Sequence, residues 1–224
     1  MRRYDLIAFD WDGTLFDSTA IIVRCIQEAV RDVGGTVPSA QDAAYVIGMA
    51  LMPALAHAAP DVPVEKYPQL NQRYRHHYLQ HQDDLILFEG VLEMLQALRQ
   101  RQHVLAVATG KSRAGLQQAL DSAELHHLFD GSRTADETAG KPNPLMLQEL
   151  MAEFDVAPER TLMIGDTTHD LEMANAAGVG GVAVTYGAHP RAALSACKPL
   201  ALIDDIAALR AWLLAAATSR AAQI

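Results

Sequence analysis

Over most of its length the sequence alternates between short apolar runs and helical patterns. Because parallel strands need helical crossovers, this alternation predicts an α/β fold. We expect a Rossmann-like, doubly wound parallel sheet covered by helices on both faces. The apolar runs cover residues 5–9, 103–109, 128–129, 160–165, 181–186 and 200–203, and the run at 128–129 is the weakest.

One long segment interrupts the alternation. Residues 16–87 contain no convincing strand but show helical patterns at 19–33, 40–57 and 65–82. Roughly seventy residues are too many for a single crossover and too long for a loop in a compact domain. We therefore expect an all-α cap domain at residues 16–87, inserted into a core domain made of residues 1–15 and 88–224. The expected hinges are the two connections, at residues 16–18 and 88–90.

Composition excludes several classes of protein. The formal net charge of −9 disfavours nonspecific nucleic-acid binding, which needs a basic surface. No apolar run is long enough to span a membrane, and no secretory signal is visible. The two cysteines, Cys25 and Cys197, lack metal-binding spacing and are typical of a reduced cytoplasm. We expect a cytoplasmic protein with neither nucleic acid nor membrane as a partner; the oligomeric state stays open.

Polar residues stand where the apolar runs end. Asp10 directly follows the first run, with Asp12 and Gly13 next. Open parallel sheets bind ligands beyond the carboxyl ends of their strands, so these carboxylates lie where a substrate is expected. Two other runs lead to Thr109 and Asp166. From the residues alone, this edge could hold a metal ion, share a proton between carboxylates, or have no chemical role.

Four short strings in a fixed order extend this pattern. Together they resemble the four motifs of the haloacid dehalogenase superfamily, in particular its phosphatases with a helical cap between the first two motifs. Within that group, the sequence is most similar to the phosphoglycolate phosphatase-like members. The strings are Phe9-Asp10-Trp11-Asp12-Gly13-Thr14, Val107-Ala108-Thr109-Gly110-Lys111, Gly140-Lys141-Pro142-Asn143-Pro144 and Gly165-Asp166-Thr167-Thr168-His169-Asp170.

The resemblance implies a separate role for each carboxylate. Asp10 would attack phosphorus and form an aspartyl-phosphate, and Asp12 would act as general acid and base. Mg²⁺ would be the cofactor, because hard divalent cations prefer oxygen ligands. Its ligands would be Asp10, Asp166 and the backbone carbonyl of Asp12, with Asp170 orienting the metal site from the next helix.

The remaining implied roles concern the substrate, a small phosphorylated metabolite. The Thr109 hydroxyl and the Gly110 backbone N–H would bind a phosphate oxygen. Lys141 would neutralise the charge that builds up in the transition state. The cap loop at Ile47, Gly48 and Met49 resembles the stretch that selects the substrate in this family.

Several alternatives stay open or are disfavoured. A phosphosugar mutase or a pyrophosphatase on the same scaffold would share the motifs. Asp12 disfavours a dehalogenase, which lacks the general acid, and the intact motifs disfavour a non-enzymatic phosphate-binding module. A phosphonate hydrolase would need a Schiff-base lysine in the cap, where Lys66 is the only candidate. Roles for Lys111, Tyr74 and Arg75 in the site stay open.

Three histidines of the predicted cap, His76, His77 and His81, could place two imidazoles on one helical face. No nearby cysteine completes a zinc set, so a solvated face is the favoured interpretation.

Overall fold

The computed structural model describes residues 4–81 and 85–216. Residues 1–3 and 217–224, which belong to the expected core domain, lie outside the described residues. So does residue 82, the end of the helix expected at 65–82. The described strands are β1 (Leu6–Phe9), β2 (Phe16–Asp17), β3 (Ile86–Leu87), β4 (Val104–Thr109), β5 (Gly131–Thr134), β6 (Thr161–Gly165), β7 (Gly180–Val184) and β8 (Ala201–Ile203). The α-helices are α1 (Thr19–Asp32), α2 (Ala40–Tyr45), α3 (Leu51–Ala58), α4 (Tyr67–Gln80), α5 (Val91–Gln100), α6 (Arg113–Ser122), α7 (Leu145–Phe154), α8 (Thr168–Ala176), α9 (Arg191–Ala196) and α10 (Ile206–Ala216).

Six of these strands form one sheet in the order β5-β4-β1-β6-β7-β8, and every pair is parallel. The strand β1 lies between β4 and β6, with Phe9 aligned to Val107 on one side and to Ile164 on the other. The expected parallel α/β fold is confirmed. Because β1 is central, the residues that follow it lie in the middle of the sheet's carboxyl edge.

Alternate residues of the central strands face opposite sides of the sheet, as the period of two requires. Ile7 and Phe9 pack into one hydrophobic cluster with residues of α5 and α10. Leu6 and Ala8 pack into another cluster with residues of α7 and α8. Helices therefore cover both faces, and the sheet is doubly wound as expected.

The segment between β2 and β3 is helical and has its own hydrophobic cluster. Ile26 and Val30 of α1 pack there with Leu55 of α3 and Leu70 of α4. Two antiparallel strands of two residues each, β2 and β3, pair where this segment meets the sheet. The expectation of no strand in residues 16–87 is therefore wrong at both ends of the range. The assignment of residues 16–87 as a separate domain stays a prediction.

Two other local expectations are wrong. The helix expected at 40–57 is broken into α2 and α3 by residues 46–50. In this break Gly48 has a φ of +89°, a backbone angle that residues with a side chain rarely adopt. The strand expected at 128–129 is instead the end of a 3₁₀ turn over His126–Leu128, and β5 begins at Gly131. Among the described residues, no helix is both long and apolar enough to cross a membrane.

Candidate active site

Three of the expected site residues lie together because their strands are neighbours. Thr109 ends β4, Asp10 follows β1, and Asp166 follows β6. The side chains are almost completely buried, with exposed fractions of 1% or less. Parallel strands place their carboxyl ends at one edge of a sheet, so residues far apart in sequence share this edge.

Three carboxylates form a cluster at this edge. Asp10, Asp166 and Asp170 each offer an oxygen atom, and these atoms lie within 4.8 Å of one another. Burial raises the pKa of Asp10 well above its ordinary value, although Lys141 opposes the shift. Burial and the Asp170 charge raise the pKa of Asp166 to about 7. Cations that bind among these groups would relieve the repulsion between the carboxylates.

The cluster fits a hard divalent cation. All of the donor atoms are carboxylate oxygens, which suit Mg²⁺ or Ca²⁺ rather than softer metals. The Oδ2 atom of Asp10 is buried and has no hydrogen-bond donor among the described residues. A buried charged oxygen without a partner is costly, so this atom is suited to a metal ion or to an incoming electrophile.

Lys141 lies inside the acidic cluster. Its Nζ atom is 2.7 Å from Asp10 Oδ1 and 2.7 Å from Asp170 Oδ1, and its side chain is fully buried. Burial by itself lowers the pKa of Lys141, but the two carboxylates outweigh this effect and raise the pKa. The ammonium group therefore stays charged beside Asp10.

Asp170 uses its two oxygens for different purposes. Its Oδ2 atom accepts hydrogen bonds from the backbone N–H of Thr167 at 3.1 Å and from the Thr167 hydroxyl at 2.7 Å. The backbone N–H of Asp170 donates in return to the Thr167 hydroxyl oxygen at 3.3 Å, and with the bond from the Thr167 N–H this makes a capping box at the start of α8. The Oδ1 atom faces Lys141 instead. The helix start thus fixes the carboxylate that positions the lysine.

Asp166 is held by two groups that the sequence analysis missed. The Thr14 hydroxyl donates to Asp166 Oδ1 at 2.8 Å, and the backbone N–H of Ala188 donates to Oδ2 at 2.7 Å. Thr14 belongs to the first motif, and its position beside the two aspartates was the available signal. Nothing in the sequence around Ala188 points to this contact, because the contact depends on how the loop after β7 folds back.

The Asp12 carboxylate lies apart from the acidic cluster. The Ser18 hydroxyl donates to Asp12 Oδ1 at 2.8 Å, and Lys111 Nζ lies 3.0 Å from Oδ2. Lys111 also donates to the Tyr78 hydroxyl of α4 at 2.8 Å. Burial lowers the pKa of Lys111, but Asp12 and Tyr78 outweigh it and raise the pKa. The structure thus places Lys111 in the site; Ser18 and Tyr78 were not identified from the sequence as site residues.

The loop at residues 46–50, between α2 and α3, rests directly on the core. A Cβ atom added to Gly110 would lie 2.5 Å from the carbonyl oxygens of both Gly48 and Met49. One added to Gly48 would lie 3.2 Å from the Thr167 hydroxyl. Neither glycine position has room for a side chain, because the backbone of the predicted specificity loop lies directly against the loops that follow β4 and β6. Ile47 is instead buried among the residues of the helical segment.

The sequence profile of the haloacid dehalogenase-like hydrolase family matches residues 7–184. The chain belongs to this family. It is 34% identical over 206 residues to "Probable phosphatase IndB" of Dickeya dadantii, with 89% of each chain covered. It is 29% identical over 209 residues to "Pyrophosphatase PpaX" of Bacillus mycoides, with 92% of this chain and 95% of that protein covered.

A solved structure shows the same fold. The crystal structure of a predicted phosphoglycolate phosphatase from Haemophilus somnus matches with a TM-score of 0.81 and 26% identity, over 92% of this chain and 96% of that one. The family and these relatives make the chain an HAD-like phosphatase. The names of the relatives differ in substrate, so the family does not fix what this hydrolase acts on.

The hydrolase has a cavity of about 870 Å³ between the sheet edge and the helical segment. Asp10, Asp12 and Thr109 lie among its lining residues. Tyr74 and Arg75, whose roles the sequence left open, also line it. Trp11 contributes as well, but it is buried and stacks on Phe16 with ring centroids 4.8 Å apart.

Two histidines of the hydrolase core hold the helical segment. His169 Nε2 and His189 Nε2 each lie 2.9 Å from the backbone oxygen of Tyr45, the last residue of α2. The backbone N–H of Thr168 donates to His189 Nδ1, so the Nε2 atom of a neutral His189 carries the proton. Burial lowers the pKa of His189, which favours that neutral ring. His189 was not identified from the sequence.

His76 and His77 belong to α4, and His81 directly follows it. His77 contacts Glu28 and Asp32 of α1, at 3.3 and 2.7 Å. Over the ranges that the structure describes, the acidic cluster around Asp10 is the one group of potential metal ligands.

Proposed function

We propose that this phosphatase is a Mg²⁺-dependent phosphomonoester hydrolase that works through an aspartyl-phosphate intermediate. The observation that carries the proposal is the buried Asp10 Oδ2 atom, which has no donor, on a carboxylate whose other oxygen is 2.7 Å from Lys141. A carboxylate oxygen held this way, on a residue that lines the cavity, is suited to nucleophilic attack.

The metal ligands we propose are the carboxylates of Asp10 and Asp166 and the backbone carbonyl of Asp12. When bound, Mg²⁺ would neutralise phosphate oxygens and lower the repulsion between the substrate and the carboxylates. The hydrogen bonds from Thr14 and Ala188 fix Asp166 in the orientation that this role needs.

In the first half of the reaction, an oxygen of Asp10 forms a bond to phosphorus and the bond from phosphorus to the substrate's alkoxide oxygen breaks. Asp12, protonated at this stage, gives its proton to the leaving alkoxide. In the second half, Asp12 accepts a proton from water as the water oxygen bonds to phosphorus. The bond from phosphorus to Asp10 then breaks, which releases inorganic phosphate and restores the carboxylate.

Other residues of the motifs stabilise charge during these steps. Lys141 stays beside Asp10 and compensates the negative charge on the equatorial phosphate oxygens. The Thr109 hydroxyl and the Gly110 N–H are placed at the end of β4, where they can donate to a phosphate oxygen. Lys111 and Ser18 hold the Asp12 carboxylate away from the acidic cluster, in the direction of the cavity.

We further propose that residues 16–87 act as a cap that closes over the substrate, with hinges at 16–18 and 88–90. The support is the short β2–β3 ribbon, which joins the helical segment to the sheet through two closely spaced chain crossings. Closure would exclude bulk water from the phosphorylated Asp10.

The test is hydrolysis of p-nitrophenyl phosphate with and without Mg²⁺, in the wild type and in Asp10→Asn. We expect release of inorganic phosphate that needs the metal and is lost in the variant. Rapid acid quenching of the wild type should yield one phosphoryl group on the peptide that contains Asp10. As a matched control, Asp121→Asn changes an exposed carboxylate and should retain activity. Activity that survives EDTA, or an active Asp10→Asn, would refute the proposal.

A mutase is distinguished by the same assay, since it returns the phosphoryl group to a sugar and does not release inorganic phosphate in each turnover. The pyrophosphatase activity named for the Bacillus relative is tested by repeating the assay with pyrophosphate as the substrate.

A further inference from the structure

We propose that the alcohol part of the substrate is an uncharged, mainly apolar group considerably larger than two carbons. This inference rests on the proposed function and specifies its substrate class. The observation behind it is the cavity that continues from Asp10 and Asp12 into the helical segment. Whatever is attached to a phosphate at Asp10 extends into this space.

The wall of the cavity on the helical side is apolar. Its side chains come from α1, the loop at 46–50, α3 and α4, and they include Ile22, Ile26, Met49, Leu51, Tyr74 and Leu79. Of the titratable groups here, the Tyr74 phenol has its pKa raised by burial, so it stays uncharged. An apolar leaving group would remove this surface from water, whereas a carboxylate would lose its hydration without compensation.

Cations that could pair with a second negative group are scarce in the described lining. Lys111 already contacts Asp12 at 3.0 Å and the Tyr78 hydroxyl at 2.8 Å. Arg75 is exposed and donates to Asn71 at 3.2 Å. The lining holds three carboxylates, Asp10, Asp12 and Asp136, against these two cations. Together with the formal net charge of −9, this excess of negative charge repels polyanions. These charges favour a phosphate monoester with an uncharged alcohol part over phosphoglycolate, whose alcohol part carries a carboxylate, and over pyrophosphate.

The size of the cavity supports the same conclusion. A volume of about 870 Å³ lies near the upper end of the range of pockets that enclose drug-sized ligands, roughly 300–1,000 Å³. Phosphoglycolate would leave most of this space to water next to apolar walls.

The experiment is a series of n-alkyl phosphates from ethyl to octyl, measured as kcat/KM with Mg²⁺. The alcohols of this series differ little in acidity, so the chemistry of the leaving group stays constant while apolar contact grows. We expect kcat/KM to rise about fourfold for each methylene group that enters the cavity. Phosphoglycolate and pyrophosphate should be poorer substrates than octyl phosphate.

A variant pair tests the wall itself. Leu51→Ala removes apolar surface from the cavity and should lower kcat/KM for octyl phosphate about tenfold while changing that for ethyl phosphate less than about twofold. The matched control, Leu92→Ala, makes the same change on the exposed face of α5, outside the cavity, and should affect neither ester.

Binding separates this inference from the proposed function. Calorimetric titration of the inactive Asp10→Asn variant with the same esters should give a Kd that falls with chain length, even if the catalytic proposal is wrong. A Kd that does not change with chain length would overturn the inference while leaving the phosphatase mechanism intact. Tighter binding of phosphoglycolate than of the alkyl esters, lost in Arg75→Gln, would do the same.

Discussion

The contact between Gly110 and the loop at 46–50 predicts that Gly110→Ala displaces this loop. The added Cβ would lie 2.5 Å from two carbonyl oxygens, whereas ordinary contacts begin at 3.4 Å. Relief therefore needs a movement of about 0.9 Å. Gly110 directly follows β4 and is tied to the sheet, while the loop only connects two short helices, so we expect the loop to move.

A displacement of about 1 Å in groups that position a substrate can cost on the order of a hundredfold in rate. This corresponds to about 2.7 kcal/mol of lost transition-state stabilisation. We expect kcat/KM of Gly110→Ala for p-nitrophenyl phosphate to fall by about that factor. The melting temperature should change by only a few degrees, because the hydrophobic clusters of the sheet and of the helical segment are not disturbed.

Gly140→Ala is the matched control. Its Cβ would meet the side chain of Ala50, in the same loop, at 3.4 Å, which is an ordinary contact. We therefore expect a much smaller effect on kcat/KM, within about fivefold. If Gly110→Ala kept wild-type kinetics, or if both variants lost activity equally, the idea that backbone contact at Gly110 sets the loop position would be wrong.

Two further predictions concern buried and surface charge. Lys141→Met should lower kcat by about 10²- to 10³-fold and destabilise the protein, because Asp10 and Asp170 lose their buried cation. Added Mg²⁺ should restore part of the lost melting temperature. A variant whose melting temperature without metal equals that of the wild type would contradict this prediction. Hydrogen bonds from His77 and then Arg73 lower the pKa of Asp32. The Asp32 charge therefore stabilises the fold above its ordinary pKa, and the stabilisation is lost as the pH falls through the lowered value. Asp32→Asn should cost up to ~1 kcal/mol, or about 2–4 °C, at neutral pH, and nothing at an acidic pH below that lowered pKa. Thermal unfolding at both pH values measures this, and an equal loss at low pH would refute it.

The fold was largely predictable because its signals are local. Apolar runs of strand length separated by helical patterns identified β1, β4, β6, β7 and β8 to within a residue or two. The position predicted for β5 was wrong because the strand lies at the edge of the sheet and its sequence is polar, Gly131-Ser132-Arg133-Thr134. The preceding apolar residues, Leu128 and Phe129, instead pack against the core as part of a turn. Hydrophobicity alone could not separate these two uses of an apolar pair.

The break between α2 and α3 was missed for a different reason. Residues 40–57 keep an apolar helical pattern, and one glycine in such a pattern is tolerated at modest cost. The helix α2 ends at Tyr45, and the loop that follows turns through Gly48 so that it packs on Gly110 and Thr167, which are distant in sequence. Contacts of this kind have no local signature.

The sequence by itself determined the parallel sheet, the inserted helical segment and the gathering of Asp10, Thr109 and Asp166 at one edge, because strand order and strand direction force the carboxyl ends together. Tertiary structure alone decided which groups hold those side chains. The deciding contacts all join residues from different elements. They are the hydrogen bonds from Thr14 and Ala188 to Asp166, the bond from Lys111 to Tyr78 near Asp12, and the contacts of His169 and His189 with Tyr45. It also decided the size and apolar character of the cavity, because that space exists only where the helical segment and the sheet edge face each other.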